Sequence, residues 1–177
     1  MILRIILLIS IVYSQNTVGS WKSFPSFHSL KSCKSISEDK VACLSNGGIL
    51  QFDLENLTNE KITFDDGLNK SNFQSFEIDS YQNIWIPSKN GKMMIDIWNY
   101  NNKILEQKFE FEIDDITNLI SDSLNMFTIY KNNDEVGLLH FQYNENWVYK
   151  DYYLNFGAPI NEIYDFKIMQ NEILLSS

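Results

Sequence analysis

An internal repeat of about 42–44 residues constrains the fold more than any other feature of this 177-residue chain. Three stretches, 35–48, 77–91 and 119–133, share a strand-like run, a short polar turn, a second apolar run and an Asn-rich turn. A fourth copy begins at 166–176. This period is typical of the four-stranded blades of a β-propeller. We therefore predict an all-β chain: a partial β-propeller of four-stranded antiparallel blades, with about three and a half blades present.

Each copy contains enough strand-like runs for one blade. In the second copy, short polar turns separate four β-rich runs at 74–79, 83–88, 92–98 and 103–111. Two Asn-Gly pairs, Asn46-Gly47 and Asn90-Gly91, can supply the positive φ angles of tight hairpins. We place the blades at about 31–64, 75–111 and 116–154, with the start of a fourth at 163–177.

Two segments fit this repeat less readily. The apolar residues of 114–126 lie at roughly helical spacing, so the segment alone would be assigned a helix. The repeat register instead assigns 116–121 to the first strand of the third blade, and we favour the strand. Pro87 lies inside a strand-like run and cannot donate a ladder hydrogen bond, which is typical of an edge or a bulge.

The amino terminus has the layout of a secretory signal. Arg4 precedes an apolar run at 5–13, and Ser14 is a small residue suited to cleavage. A buried strand is the alternative. We predict a signal peptide at 1–14 and a partial propeller domain at 15–177, and therefore an exported protein of the periplasm or cell surface. The run is too short for a membrane-spanning helix.

The charge of the chain narrows the classes of partner. Lys and Arg total 14 against 23 Asp and Glu, which gives a formal net charge of −9. A nucleic-acid-binding protein normally presents a basic face, and docking on anionic lipid also needs basic residues. We expect protein partners or a cell-surface glycan, with no nucleic acid and no membrane-spanning segment in the mature chain.

The second repeat carries a family resemblance. It resembles the repeat of two-component-regulator propellers, which has a Gly-Leu turn, an Asp closing the first strand and an Asn-aliphatic-Trp run before a Gly turn. The residues on these positions are Gly67, Leu68, Asp79, Asn83, Trp85, Ser88 and Gly91. Gln82 replaces the usual Gly, Pro87 a small residue and Ser88 a Thr. Together with Asn90, Asn46 and Gly47, these residues are expected to be structural.

The segment at 19–27 is similar to the start of the amino-terminal propeller of PorZ-like proteins. That resemblance implies an exported scaffold, associated with type IX secretion, that acts by binding rather than by catalysis. For the Trp21 segment it implies docking on the first blade or sealing of the ring.

The residues that could carry chemistry are better explained by structural roles. We expect Trp85 and Trp98 to pack between blades rather than to form a sugar platform, and Asp79 to cap the turn after its strand. The acidic pairs at 65–66 and 114–115 lack the alternating oxygen ligands that Ca²⁺ needs. His28 and His140 have no repeated partner beside them. We expect no catalytic residue, no cofactor and no metal.

Cys33 and Cys43 flank the predicted first hairpin. A two-residue turn would place the two sulfurs on opposite faces, whereas a three-residue turn would place them opposite one another. Export permits oxidation. On the two-residue turn we expect no disulfide.

Three functions remain open from the sequence. The first is a non-enzymatic binding or scaffold propeller, the second the periplasmic sensor module of a hybrid two-component regulator, and the third a polysaccharide-active propeller enzyme. Closed propellers need about 4–8 blades. We therefore expect the chain to be part of a longer exported protein.

Overall fold

The described residues fold into antiparallel β-sheets, and short turns join the consecutive strands of each sheet. The computed structural model describes residues 27–69, 73, 75–133, 135–154, 165–169 and 172–176. Within these residues the strands form three four-stranded antiparallel sheets and one two-stranded sheet, and consecutive strands are neighbours throughout. The predicted signal peptide and Trp21 lie outside the described residues.

The strand bounds follow the repeat. Sheet 1 contains β1 Leu30–Ser35, β2 Lys40–Ser45, β3 Gly48–Asp53 and β4 Thr58–Ile62. After a 3-10 helix at Phe64–Asp66, sheet 2 contains β5 Glu77–Ile78, β6 Asn83–Asn90, β7 Lys92–Asn99 and β8 Ile104–Phe111. Sheet 3 contains β9 Asp115–Asp122, β10 Asn125–Asn132, β11 Glu135–Asn144 and β12 Asn146–Leu154. Sheet 4 contains β13 Asp165–Met169 and β14 Glu172–Ser176.

The segment that could have been a helix is strand β9, as the repeat register predicts. Its ladder with β10 is irregular: Tyr130 pairs with Ile116, and Thr128 pairs with Leu119. Two residues of β9, Thr117 and Asn118, therefore lie opposite one residue of β10, Ile129, which is a β-bulge. The extra residue places Ile116 and Leu119 on the same face at a spacing of three, so the helical spacing in the sequence reflects a bulge.

Pro87 lies in an inner strand, and the register shows why its missing N–H is tolerated. The Asn83 N–H points towards β5, where it reaches Asp79. Backbone direction alternates along a strand, so the Pro87 nitrogen faces the same side. β5 pairs only with Ile84 and Trp85. The Pro87 nitrogen therefore lies beyond the short first strand and costs no ladder hydrogen bond.

Successive sheets pack face to face. One core cluster joins sheet 1 to sheet 2 and includes Ala42, Leu44, Ile49, Ile84, Ile86 and Trp98. A second joins sheet 2 to sheet 3 and includes Trp85, Ile95, Ile97, Met126 and Phe141. A third joins Ile129 and Leu138 of sheet 3 to Phe166 of sheet 4. Sheet 2 is therefore covered on both faces, which explains the nearly continuous apolar runs of β6 and β7.

The expectation about the two cysteines is wrong. Ser35 pairs with Val41, so five residues lie outside the ladder of the first hairpin and Cys33 stands directly opposite Cys43. Their Cα atoms are 4.1 Å apart and the sulfurs form a disulfide. The longer turn shifts the register away from the two-residue pairing and brings both side chains to the same face.

The two Asn-Gly hairpins differ from one another. In the β6–β7 turn Gly91 has a φ of 78°, as the sequence predicts. In the β2–β3 turn the positive φ falls on Gly48, at 130°, rather than on Asn46 or Gly47. A Cβ on Gly48 would collide with the Ile62 carbonyl oxygen of β4, so the close approach of that strand also requires glycine.

Within the described ranges, no helix has both the length and the apolar character needed to cross a bilayer.

Candidate functional site

The site is built around a buried carboxylate in the turn between β5 and β6. Asp79 is 4% exposed. Its Oδ1 accepts the backbone N–H groups of Tyr81 and Asn83, both at 2.8 Å. This is the predicted turn-capping contact. It fixes the turn so that the Tyr81 side chain projects at the edge of the sheets.

The second oxygen of Asp79 joins two sheets. Oδ2 accepts hydrogen bonds from Asn83 Nδ2 at 3.0 Å and from the indole nitrogen of Trp85 at 2.9 Å, both in sheet 2. It also accepts the indole N–H of Trp147, at 2.9 Å, from sheet 3. Five donors therefore converge on one carboxylate, which offsets the cost of removing its charge from water.

The aromatic rings beneath the carboxylate form the interface of sheets 2 and 3. The Trp85 ring meets Trp147 edge-on, with centroids 4.8 Å apart, and lies 5.3 Å from Phe141. Trp85 is fully buried and packs between the two sheets, as the sequence predicts. Trp98 is likewise buried, between sheets 1 and 2, and its indole nitrogen has no hydrogen-bond partner among the described residues.

A groove of about 860 Å³ opens above this interface, between the edges of sheets 2 and 3. Tyr81 lies in it with 39% of its surface exposed and stacks on Tyr143, with ring centroids 3.9 Å apart and planes 28° apart. Trp147 stands edge-on to both rings. A partly exposed aromatic platform therefore rests on a rigid buried support, an arrangement suited to ligand binding. We call this space the aromatic groove.

Polar side chains form one wall of the aromatic groove and hold one another in place. Asn99 Nδ2 donates to Asn83 Oδ1 at 3.2 Å and to Glu106 Oε1 at 2.7 Å. Gln107 Nε2 donates to the Trp147 carbonyl oxygen at 2.6 Å, across the two sheets. Asn99 Oδ1 also accepts the Asn102 N–H, so the Asn99 amide is engaged within the chain. Gln107 uses one of the four hydrogen-bonding positions of its amide in the described residues and keeps the others for a ligand.

A second, smaller cleft of about 220 Å³ lies between sheets 1 and 2 at the same edge. Lys40 lies over the Tyr100 ring, with its Nζ 5.2 Å from the centroid, and contact with Tyr100 raises the pKa of Lys40. Lys103 forms an ion pair with Glu60 at 2.7 Å. Charged side chains of the chain itself line this space, which we call the ionic cleft.

The remaining predicted structural residues lie away from the aromatic groove. Gly67, with a φ of 111°, ends the 3-10 helix, and its N–H donates to the Phe64 carbonyl oxygen. Leu68 is buried between sheets 1 and 2. Ser88 is buried on β6, while Asn90 and Gly91 lie at the opposite edge of sheet 2. Of the predicted set, only Asp79, Asn83 and Trp85 belong to the site.

The platform residues Tyr81, Tyr143 and Trp147 were not singled out from the sequence. Tyr81 alone gave a signal, since it is an aromatic residue in an otherwise polar turn. His140 does not line the aromatic groove. Its Nε2 lies 2.9 Å from Asn125 Oδ1, and its ring stacks on Phe127. Across the part of the chain that the structure describes, no three His, Cys, Asp or Glu side chains gather as a metal site would require.

No family model and no curated protein match this chain. Among solved structures it is similar to Hsv2 from Kluyvelomyces marxianus, with a TM-score of 0.45 and 9% sequence identity. The match covers 75% of this chain and 38% of that one, so this chain spans well under half of the protein it matches. A likeness of this size supports no inference about function.

Proposed function

We propose that this chain is part of a non-enzymatic β-propeller that binds a protein or a cell-surface glycan and acts as a scaffold. The observation that carries this proposal is the aromatic groove. It combines an exposed tyrosine platform with a wall of amide side chains on a rigid base, and it opens at the edge of the sheets where loops are accessible.

The arrangement of the first strands supports the propeller architecture. Lys34 of β1 forms an ion pair with Glu77 of β5 at 2.7 Å, and the Ser121 hydroxyl of β9 donates to the Ile78 carbonyl oxygen of β5 at 3.0 Å. β9 also contacts β13. The first strand of each sheet therefore lies beside the first strand of the next, as the inner strands around a propeller axis do.

The disulfide supports an exported protein. A bond between Cys33 and Cys43 is expected in an oxidising compartment and is rare in the cytosol. It agrees with the predicted signal peptide at 1–14. With the resemblance to PorZ-like propellers, these features favour a role at the periplasm or cell surface, associated with type IX secretion.

A surface-retention experiment tests the proposal. The full chain carrying a fluorophore is incubated with envelopes of the source cells, beside the variants Tyr81→Ala and Tyr100→Ala. We expect the native chain and Tyr100→Ala, which changes the ionic cleft, to be retained and Tyr81→Ala to be lost. Equal retention of all three chains, or turnover of a surface polysaccharide by the native chain, would overturn the proposal.

A further inference from the structure

The aromatic groove and the ionic cleft occupy equivalent positions of the repeat. In sheet 1 Lys40 pairs with Asp53, and Asp53 pairs with Thr58. In sheet 2 the corresponding ladder positions pair Asn83 with Asn99, and Asn99 with Ile104. Each space is closed by a hairpin of the next sheet, which contributes Tyr100 in one case and Tyr143 in the other.

The residues at equivalent positions differ systematically in charge. Lys40 and Asp53 of the ionic cleft correspond to Asn83 and Asn99 of the aromatic groove. Glu60, two positions further into the ladder, corresponds to Gln107. Ile104 of sheet 2 and Val148 of sheet 3 hold the ladder position that Thr58 holds in sheet 1. Lys103 directly precedes Ile104 and Trp147 directly precedes Val148, so these two residues are also equivalent. Four ionic positions are thus replaced by three amides and an indole.

The consequence is that the two spaces differ in charge and in free volume. In the ionic cleft the Lys40 ammonium covers the Tyr100 ring and Lys103 neutralises Glu60. In the aromatic groove the Tyr81–Tyr143 pair has no ammonium over it among the lining residues, and the volume is about 860 Å³ rather than 220 Å³. Of these two equivalent spaces, the one between sheets 2 and 3 has the volume of a ligand-binding site.

We infer that the aromatic groove binds an uncharged oligosaccharide, an inference that rests on the proposed binding function. Each sugar hydroxyl both donates and accepts, as an amide group does, so Gln107 and Asn146 suit it. The electron-rich face of a tyrosine ring attracts the C–H groups of a sugar ring. Glu106 and Glu145 in the lining, with no Lys or Arg among its residues, disfavour an anionic ligand.

A basic peptide is the competing ligand, since those two carboxylates would attract it. The test therefore measures binding of three kinds of probe to the full chain by calorimetry: neutral hexaoses of glucose, mannose and xylose, acidic oligogalacturonate, and hexalysine. The variants are Tyr81→Ala, Tyr81→Phe, which keeps the ring, and Tyr100→Ala as a matched control in the ionic cleft.

We expect at least one neutral hexaose to bind the native chain, Tyr81→Phe and Tyr100→Ala alike, with affinity lowered at least tenfold in Tyr81→Ala. Its affinity should not change between about 50 and 500 mM salt, because screening weakens only interactions between charges. Tyr81-dependent binding of hexalysine or oligogalacturonate alone would overturn the glycan inference and leave the groove as a binding site. The inference would also be overturned if no neutral hexaose bound, or if Tyr81→Ala bound the hexaose with the affinity of the native chain. The surface-retention experiment decides the proposed function separately.

Discussion

At the scale of single residues, Asp79 shows how one buried charge can organise a site. A carboxylate removed from water is costly unless donors surround it. Two of its five donors are backbone N–H groups that shape the Tyr81 turn, and two are indoles from different sheets. The same side chain therefore sets the turn that displays the platform and fixes the aromatic base beneath it.

Asp79→Asn should destabilise the protein. The amide NH₂ of asparagine would face indole and amide donors that it cannot accept from, so several buried N–H groups would lose their partner. We expect a loss of about 3 kcal/mol in the free energy of unfolding, measured by urea denaturation. Asp53→Asn is the matched control, because Asp53 caps an exposed turn through Asn56 and asparagine can keep that acceptor. Equal midpoints for the two variants would contradict the role given to Asp79.

Asp96 is a second buried carboxylate, but it is poorly satisfied. Its Oδ2 accepts from Asn69 Nδ2 at 2.6 Å, while Oδ1 has no hydrogen-bond partner among the described residues and lies 3.8 Å from Lys108 Nζ. Burial raises the pKa of Asp96 and outweighs the opposing effects of Lys108 and Asn69. The folded state therefore binds this proton more tightly than the unfolded state does.

The sign of the resulting pH dependence follows from that difference. Because the folded pKa of Asp96 is raised, its contribution to stability is full below the unfolded pKa of about 3.9 and is lost as pH rises through the folded pKa. Asp96→Asn imitates the protonated form at every pH. We expect this variant to melt at a higher temperature than the native chain at pH 7, with the difference narrowing towards pH 4. If the native chain is instead the more stable of the two at pH 7, the attraction of Lys108 for the Asp96 carboxylate outweighs the cost of burying that charge.

At the scale of strands and hairpins, the sequence predicts which segments pair better than how they pair. The repeat identified the strands of sheets 2 and 3, including β9 against a helical spacing. The bulge that produces this spacing depends on the β10 ladder and is not visible in β9 alone. The predicted register of the first hairpin was wrong for a related reason. The turn at 36–40 can have several lengths, and each length gives a different register.

The disulfide gives the observed register of the first hairpin a measurable consequence. Cys33 and Cys43 are separated by 10 residues, and cross-linking a loop of that size stabilises the native state by about 3 kcal/mol in the chain-entropy treatment. We expect reductant to lower the urea midpoint of the native chain by a corresponding amount. The double variant Cys33→Ser with Cys43→Ser should show the lower midpoint with or without reductant. A native chain unaffected by reductant would contradict the pairing.

At the scale of the whole molecule, the site was harder to predict than the fold. Periodicity within one repeat reveals strands, but the aromatic groove joins Tyr81 of one repeat to Tyr143 and Trp147 of the next. Their proximity depends on how two sheets stack, and no local pattern encodes that stacking. Asp79, Asn83 and Trp85 were found because they also serve their own repeat.

The stacking predicts that damage to one sheet reaches its neighbour. Phe141 of sheet 3 is fully buried, and its ring lies 5.3 Å from Trp85 of sheet 2 and 5.0 Å from Phe109. Phe141→Ala should cost about 3–5 kcal/mol and accelerate hydrogen exchange in β6 and β7, although the mutation lies in β11. Phe127→Ala is the matched control, since Phe127 packs in the cluster that faces sheet 4.

In Phe127→Ala we expect faster hydrogen exchange in β10 and in the β13–β14 hairpin, with exchange in β6 and β7 close to that of the native chain. The contrast follows from sheet 2 sharing its core with Phe141 but not with Phe127. If both variants loosen sheet 2 equally, the sheets do not transmit stability through their facing side chains. If neither does, sheet 2 is held by its own ladder and by sheet 1 alone.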